Sequence, residues 1–512
     1  MRPRIDGVDF AVDEHIWGHR LYDEQLPHLA VLEFLCVLGS NSDKPLVTAP
    51  NERVRYKPQR QIRLRSLLFN NPYVEAIRAR AVPDADKWSE WNKLFVADAN
   101  ATGLERGDFE YLRAAFSCFD DFAKAIELLR SSAFEAQSNK RWSSKFVFPF
   151  GPDALYEDLR FGANNSISND RRFFARTGEL LYLMLSRARG GPELGQVLVS
   201  RLLNPSSPMN RLVRVLQDQP QNADTERDTG YLPTVSHPRF DRLCADWTAI
   251  LSRDMPIYDA LEHLITSAGL NLLLYFLERG KERVGDTDPI EIVCEIVSRE
   301  RTKVRALSGE SYQANQALSV RAVRSEVEGV RLLPEWAAAL ASDDPSGECA
   351  RLMQKHFQWP PETPDDDESD YSKMSGDELV ERLSEKALSR HDQHVGKIHV
   401  SWSRAIGLSS RLFSRRTRYA PNDRLLKTLV VSVVDERMQF DEFLHELRAR
   451  YGFVIGNVEG AHLVRNKLVD QGALSENRAN LEARLVALGL VRMLSDSCSF
   501  VENPFVTKVE AE

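Results

Sequence analysis

The sequence predicts a mainly α-helical protein, a large helical body that ends in a C-terminal winged-helix-like module. Three observations carry this. Apolar residues recur at three- and four-residue spacing through most of the chain. Strand signals are few, with ERVRYKPQRQIRLRS (52–66) and KFVFPF (145–150) the main candidates. Residues 424–506 read as helix, helix, helix and a short hairpin, the element order of a winged helix.

The helices follow in chain order. LPHLAVLEFLCVLGSN (26–41) repeats apolar residues with helical period and meets Gly39 and polar residues at its end. DFEYLRAAFSCFDDFAKAIELLRSS (108–132) continues the same pattern, with Asp108 as its N-cap. NDRRFFARTGELLYLMLSRARGG (169–191) predicts a helix from Asn169 or Asp170 to the paired glycines. The most apolar run, 261–280, holds an uncharged stretch Leu264–Leu277, too short for a bilayer and suited to a buried core helix. PIEIVCEIVSRERTKVRAL (289–307) predicts a helix entered through Asp288-Pro289. In the last unit, 441–452, 459–474 and 475–491 predict three helices, the third with an incomplete capping box at Ser475. VRML, SDS and CSFV then predict a hairpin.

Three breaks divide the chain. Residues 217–238 are polar and proline-bearing, a long loop. PPETPDDDESDYSKMSGDE (360–378) sets eight acidic residues against Lys373 alone, the composition of a linker that repels itself. Pro421 closes RRTRYAPND (415–423). The expected organisation is an N-terminal helical region with a basic β segment (1–216), a second helical region (239–360), an acidic linker (361–396), and a basic segment plus winged-helix-like module (397–512).

Composition narrows the function. The 512 residues carry a net charge of −8 and are 43% hydrophobic, enough to build a core without staples. The six cysteines are scattered with no CxxC pair, which excludes a disulfide framework or structural zinc ribbon and predicts buried thiols. MRPRIDGVDFAVDEH lacks the apolar core of a secretory signal, so the expectation is a cytoplasmic protein without a membrane partner. GxxxxGK[ST], GxGxxG and GxSxG are absent, and no cofactor is expected.

Positive charge is concentrated instead. From Lys397 to Lys427 eight cationic residues face Asp423 alone, interleaved with Trp402, Phe413 and Tyr419. A guanidinium fork bonds phosphate bidentately and aromatic rings stack on bases, so Arg404, Arg411, Arg415, Arg416 and Arg418 are candidate contacts to a nucleic-acid backbone. Neutralisation by the nearby acidic run, or a protein contact, is the competing reading. Arg53, Arg55 and Lys57 alternate, as do Arg63 and Arg65, so each set projects from one face of an extended chain. Arg172 and Arg176 lie one turn apart near a predicted helix N-terminus, a setting for phosphate or for pairing with Glu179. His15 and His19, and His391, His394 and His399, have spacings compatible with a metal, though HExxH is missing. Glu291 and Glu295, four apart, read as ordinary helix salt-bridge partners.

In this combination the chain resembles the large, mostly helical, motif-poor bacterial subunits that work beside enzymes in multi-protein genome-defence or DNA-processing systems. The likeness is one of overall style and carries no site residues; together with the basic segments the expectation is a non-catalytic scaffold or adaptor with protein partners that contacts DNA or RNA backbone. The alternatives are a metal-dependent nuclease or hydrolase whose site is assembled from dispersed residues, and a subunit that contacts protein alone.

Overall fold

The computed structural model describes the chain from Arg4 to Phe505, except residues 6, 49–52, 58, 61–66, 69–70, 102–108, 132–150, 156–158, 162–166, 170–174, 218–220, 223–225, 298–301, 362–370 and 496–497. Helices dominate the described residues, as the periodicity predicts. The chain forms two compact units, Met1–Pro27 with Gly230–Glu512, and His28–Thr229.

In the unit His28–Thr229, the predicted first helix is present as Pro27–Ser40. The predicted helix 108–132 is broken into Glu110–Ala115 and Phe119–Ser131, with Phe116 extended between them. The break lets aromatic side chains from several segments meet: Trp88, Trp91, Phe95, Phe109, Phe119 and Phe122 form one buried cluster, with Trp91 stacked on Phe95 at 5.2 Å. Such clusters supply much of the burial energy of a helical layer. The predicted helix 169–191 runs only from Thr177 to Ser186, and residues 167–169 are a short strand. Gly178 explains the close packing there, since a Cβ would stand 2.5 Å from the Ala30 carbonyl oxygen and from Glu33 Cβ.

The other unit is built around the helix Ile257–Arg283, which packs against Pro238–Ser252, Lys303–Glu328, Ile398–Ala405 and Asp423–Val433. It is long and apolar enough to cross a membrane by length and composition, yet Leu264–Leu277 is buried almost throughout inside the unit. Its polar residues are matched: Asn271 Nδ2 donates to Asp246 Oδ2 at 2.8 Å, and the Tyr451 hydroxyl donates to Asp246 Oδ1 at 2.9 Å. The helix expected at 289–307 is not formed as such. Ile292–Val293 is a strand, and the helix begins at Lys303. Within the acidic stretch Tyr371–Lys373 is a helical turn, and the helix Gly376–Gln393 opens with a complete capping box between Ser375 and Glu378.

The C-terminal elements are α1 (Asp423–Val433), β1 (Arg437–Gln439), α2 (Phe440–Tyr451), β2 (Phe453–Val454), α3 (Ala461–Arg465), α4 (Gln471–Ala487), β3 (Val491–Ser495) and β4 (Cys498–Glu502). The antiparallel sheet runs β1-β4-β3. Gly452, at φ 74°, ends α2 in the left-handed conformation that glycine tolerates. The helix expected at 459–474 shrinks to α3, since the chain turns out of the helix at Lys467, which takes φ 59°, and Leu468 beyond it is exposed. Asp470, not Ser475, caps α4, accepting from Ala473 N at 2.8 Å.

Candidate nucleic-acid interface

The basic run folds into a hairpin. The helix Ile398–Ala405 stops before Gly407, whose φ of 77° turns the chain, and Asn422 lies where a Cβ on Gly407 would fall. Asn422 in turn caps α1, accepting from Leu425 N at 3.0 Å, so one contact fixes both the hairpin's foot and the next helix. Strands Ser409–Ser410 and Arg418–Tyr419 pair in antiparallel register, Ser409 opposite Tyr419.

Beneath the hairpin lies a buried charge cluster. Glu295 accepts from Arg305 Nε at 2.6 Å through one carboxylate oxygen and from Arg418 Nε through the other. Arg418 is 1% exposed. Its Nη2 donates to the Leu412 carbonyl at 2.7 Å, and Arg305 Nη1 reaches the Phe413 carbonyl at 3.4 Å. The two guanidinium groups thus bridge a single carboxylate to the backbone of the tip. Tyr419 is held as firmly. Its hydroxyl sits 2.6 Å from His399 Nε2 and accepts from Asn315 Nδ2 at 3.0 Å, while its carbonyl accepts from Glu295 N and Ser308 Oγ. Burial holds His399 far below the usual histidine range, at about 3, so the imidazole is neutral and Nε2 accepts from the hydroxyl.

Arg418 therefore does not belong to the surface set that the sequence assigned it to. Its charge is given to a glutamate that lies far away in sequence. Arg424 is likewise turned inward, donating to the Ala405 carbonyl. The tip is different. Arg404, Arg411, Arg415 and Arg416 are exposed, and among the described residues none of them has a carboxylate partner. Arg411 makes a hydrogen bond to Thr417 Oγ1 at 2.7 Å. Leu412 and Phe413 stand out between these arginines at 56% and 60% exposure. Phe413 takes φ 58°, a left-handed backbone held from below by the carbonyl contacts just described.

The remaining predicted cations fare otherwise. Arg53, Arg55 and Lys57 alternate outward while Val54 and Tyr56 are buried, as extended chain requires. The strand pairs with Arg227–Asp228, and this places Arg55 3.4 Å from Asp228 and Lys57 3.9 Å from Glu226. Arg63, Arg65 and Arg172 lie outside the described residues. Arg176 stands just before the helix Thr177–Ser186, but the anion position there is filled by Glu33, which accepts from Arg176 N at 3.0 Å and Gly178 N at 2.7 Å. A buried carboxylate of the chain itself occupies the place a phosphate would take.

α4, the longest helix of the C-terminal elements, has no cation to offer a groove. Arg478 is bonded to Asp441 at 2.6 Å and Arg484 to Asp423 at 2.7 Å. The histidines are likewise engaged. His391 lies between Asp13 at 2.9 Å and Ser319 at 3.0 Å, His394 is 3.0 Å from Asp23, and His15 is 3.5 Å from Glu326. Asp13, His391 and Ser319 stand in the order of a hydrolytic triad. Ser319, however, is 3% exposed in the interior of a long helix and serves as a core partner of the imidazole. Among the described residues no three His, Cys, Asp or Glu side chains converge as a metal site. Glu291 pairs with Arg448 and His462, and Glu295 with Arg305 and Arg418, while Arg299 and Arg301, the local partners expected of them, lie outside the described residues.

Sequence reasoning found the tip arginines and missed what positions them. Glu295 sits in the apolar run IEIVCEI, where an acid invites the question of its partner, but the partner cannot be read from spacing. Comparison with known proteins gives no matching curated protein and no matching solved structure. A stretch beginning at the foot of the hairpin and ending in β4, residues 408–501, is similar to the family described as methylation-associated defense system protein MAD7.

Proposed function

We propose that the chain is a non-catalytic subunit of a multi-protein bacterial defence complex, working in the cytoplasm, that grips nucleic-acid backbone with the hairpin tip Arg411–Arg416 and neighbouring Arg404. One observation carries this: the tip keeps its guanidinium groups exposed and without carboxylate partners among the described residues, while Arg418 and Arg424 beside it are bonded to the chain's own acid and carbonyls. The similarity of residues 408–501 to a defence-system family supports the setting. The order of α1 to β4, with sheet order β1-β4-β3, supports a module of winged-helix type. Its paired α4 arginines argue for backbone contact over reading of base edges.

The test is binding of DNA and RNA across a salt series, with Arg415→Ala and Arg416→Ala combined. Each lost phosphate contact lowers the slope of log K against log salt by about 0.7 to 0.9. An unchanged slope, or no binding at low salt, removes the nucleic-acid part. A second reading, a protein contact alone, is favoured by Val486, Met493 and Leu494, which stand exposed on α4 and β3. It predicts a co-purifying subunit released when Met493 and Leu494 become serine.

A further inference from the structure

Resting on the reading that the tip binds nucleic acid, we infer that Phe413 is a stacking platform for an unpaired base, so that the partner is single-stranded nucleic acid. The tip places its aromatic ring in solvent between cations, with Arg411 on one side in sequence and Arg415 and Arg416 on the other. A phenylalanine 60% exposed in water costs apolar contact with solvent unless something covers it. The cations flanking it select a polyanion, and the flat apolar unit of a polyanionic chain is a base. A base face is available without cost only where the strand is unpaired. In a duplex the same ring would have to unstack a base step before it could meet a base face.

The backbone that carries the ring is also held in place. Its backbone is left-handed at φ 58°, and the Leu412 and Phe413 carbonyls are held by Arg418 and Arg305, both fixed on Glu295. Tip and platform therefore move as one piece with the core beneath them, and little ordering cost falls on binding. α4 adds nothing to a duplex reading, since its arginines are paired to Asp441 and Asp423.

Fluorescence anisotropy on the full chain tests this with three probes: a mixed-sequence single strand, the same strand made abasic, and the matching duplex. The wild type should prefer the base-bearing strand over both others by about fivefold or more, a stacking-sized effect. Phe413→Ala should abolish that preference while leaving the salt slope unchanged, and Phe413→Trp should keep it. Thermal melting checks that the variants are folded. Equal affinity for base-bearing and abasic strands, preference for duplex, or an unaffected Phe413→Ala overturns the platform and leaves backbone binding standing. Absence of binding to all three probes overturns backbone binding itself.

Discussion

The extended segment 53–57 and the hairpin tip Arg411–Arg416 are rich in cations to the same eye, and their cations meet different fates. In the extended segment the register sets Asp228 opposite Arg55, and Glu226, just outside the partner strand, stands 3.9 Å from Lys57, so both charges are answered at the ladder. In the hairpin, register brings Ser409 and Ser410 opposite Tyr419 and Arg418, and the one acid beneath is taken by Arg305 and Arg418. The tip arginines lie beyond the ladder, where no carboxylate is delivered among the described residues. A count of basic residues does not separate these cases. Position relative to the strand pairing does.

The comparison can be broken at its base. Glu295→Gln leaves two inward-facing guanidinium groups without a counter-charge, and an uncompensated buried pair costs about 3–5 kcal/mol. The denaturant midpoint should fall accordingly, and limited proteolysis should cut within 411–417 as the carbonyl anchors loosen. A loss below about 1 kcal/mol would mean the cluster does not hold the tip.

Reversing the tip charges sharpens it. Arg415→Glu with Arg416→Glu should cost more than tenfold in single-strand affinity at low salt, since phosphate contacts are replaced by repulsion. Stability should stay within about 0.5 kcal/mol because both side chains are exposed. Loss of affinity without loss of fold separates binding from scaffolding.

Acid response gives the next effect, from the interior that carries the hairpin. Burial lowers His263 to about 4 and His399 to about 3, so the native state stays neutral while the unfolded chain takes up protons below about 6.5. Stability from these two is present above pH 6.5 and is lost as pH falls. Glu14 runs oppositely. Burial raises it to about 7 against the opposing pull of Arg390, so the native state keeps a proton that the unfolded chain releases. Between about pH 4.5 and 6.5 the three groups together give a net uptake of about one proton on unfolding, or about 1.4 kcal/mol per pH unit. Glu14→Gln should raise that slope toward two protons, and His399→Gln should lower it toward zero. Urea midpoints measured across pH check both.

The smallest effect belongs to the strand. Arg55→Ala with Lys57→Ala breaks two exposed pairs and should change stability by less than about 1 kcal/mol, with nucleic-acid affinity unchanged. An affinity loss equal to that of the tip variants would dissolve the contrast.

Some of this was legible in advance. The helices Pro27–Ser40, Ile257–Arg283 and Phe440–Tyr451 follow an apolar period that local sequence displays, and Gly452 marks its own stop. Ile292–Val293 was not legible, because a short apolar, β-branched run fits a buried strand and a buried helix alike. What decides is its parallel pairing with Phe453–Val454, far along the chain. The capping box at Ser375 was hidden in a charge run that composition assigns to a linker. For the candidate site, the exposed arginines were visible as letters. The inward turn of Arg418 was not, since its partner Glu295 is set by tertiary packing.

The segment bearing Glu295 has a practical consequence. Ile292 and Cys294 donate backbone hydrogen bonds to Gly452 and Val454, Ile296 N donates to Asn477 Oδ1, and Asn477 Nδ2 returns to the carbonyls of Cys294 and Ile455. A fragment excised at residue 408 would carry every letter of the matched stretch and lack this inner brace, leaving Asn477 without Ile296 N and the Cys294 carbonyl and the Arg418 guanidinium without the Glu295 carboxylate. The bounds of that similarity are thus not the bounds of the packed unit, and a fragment meant to keep the brace should begin upstream of Ile290.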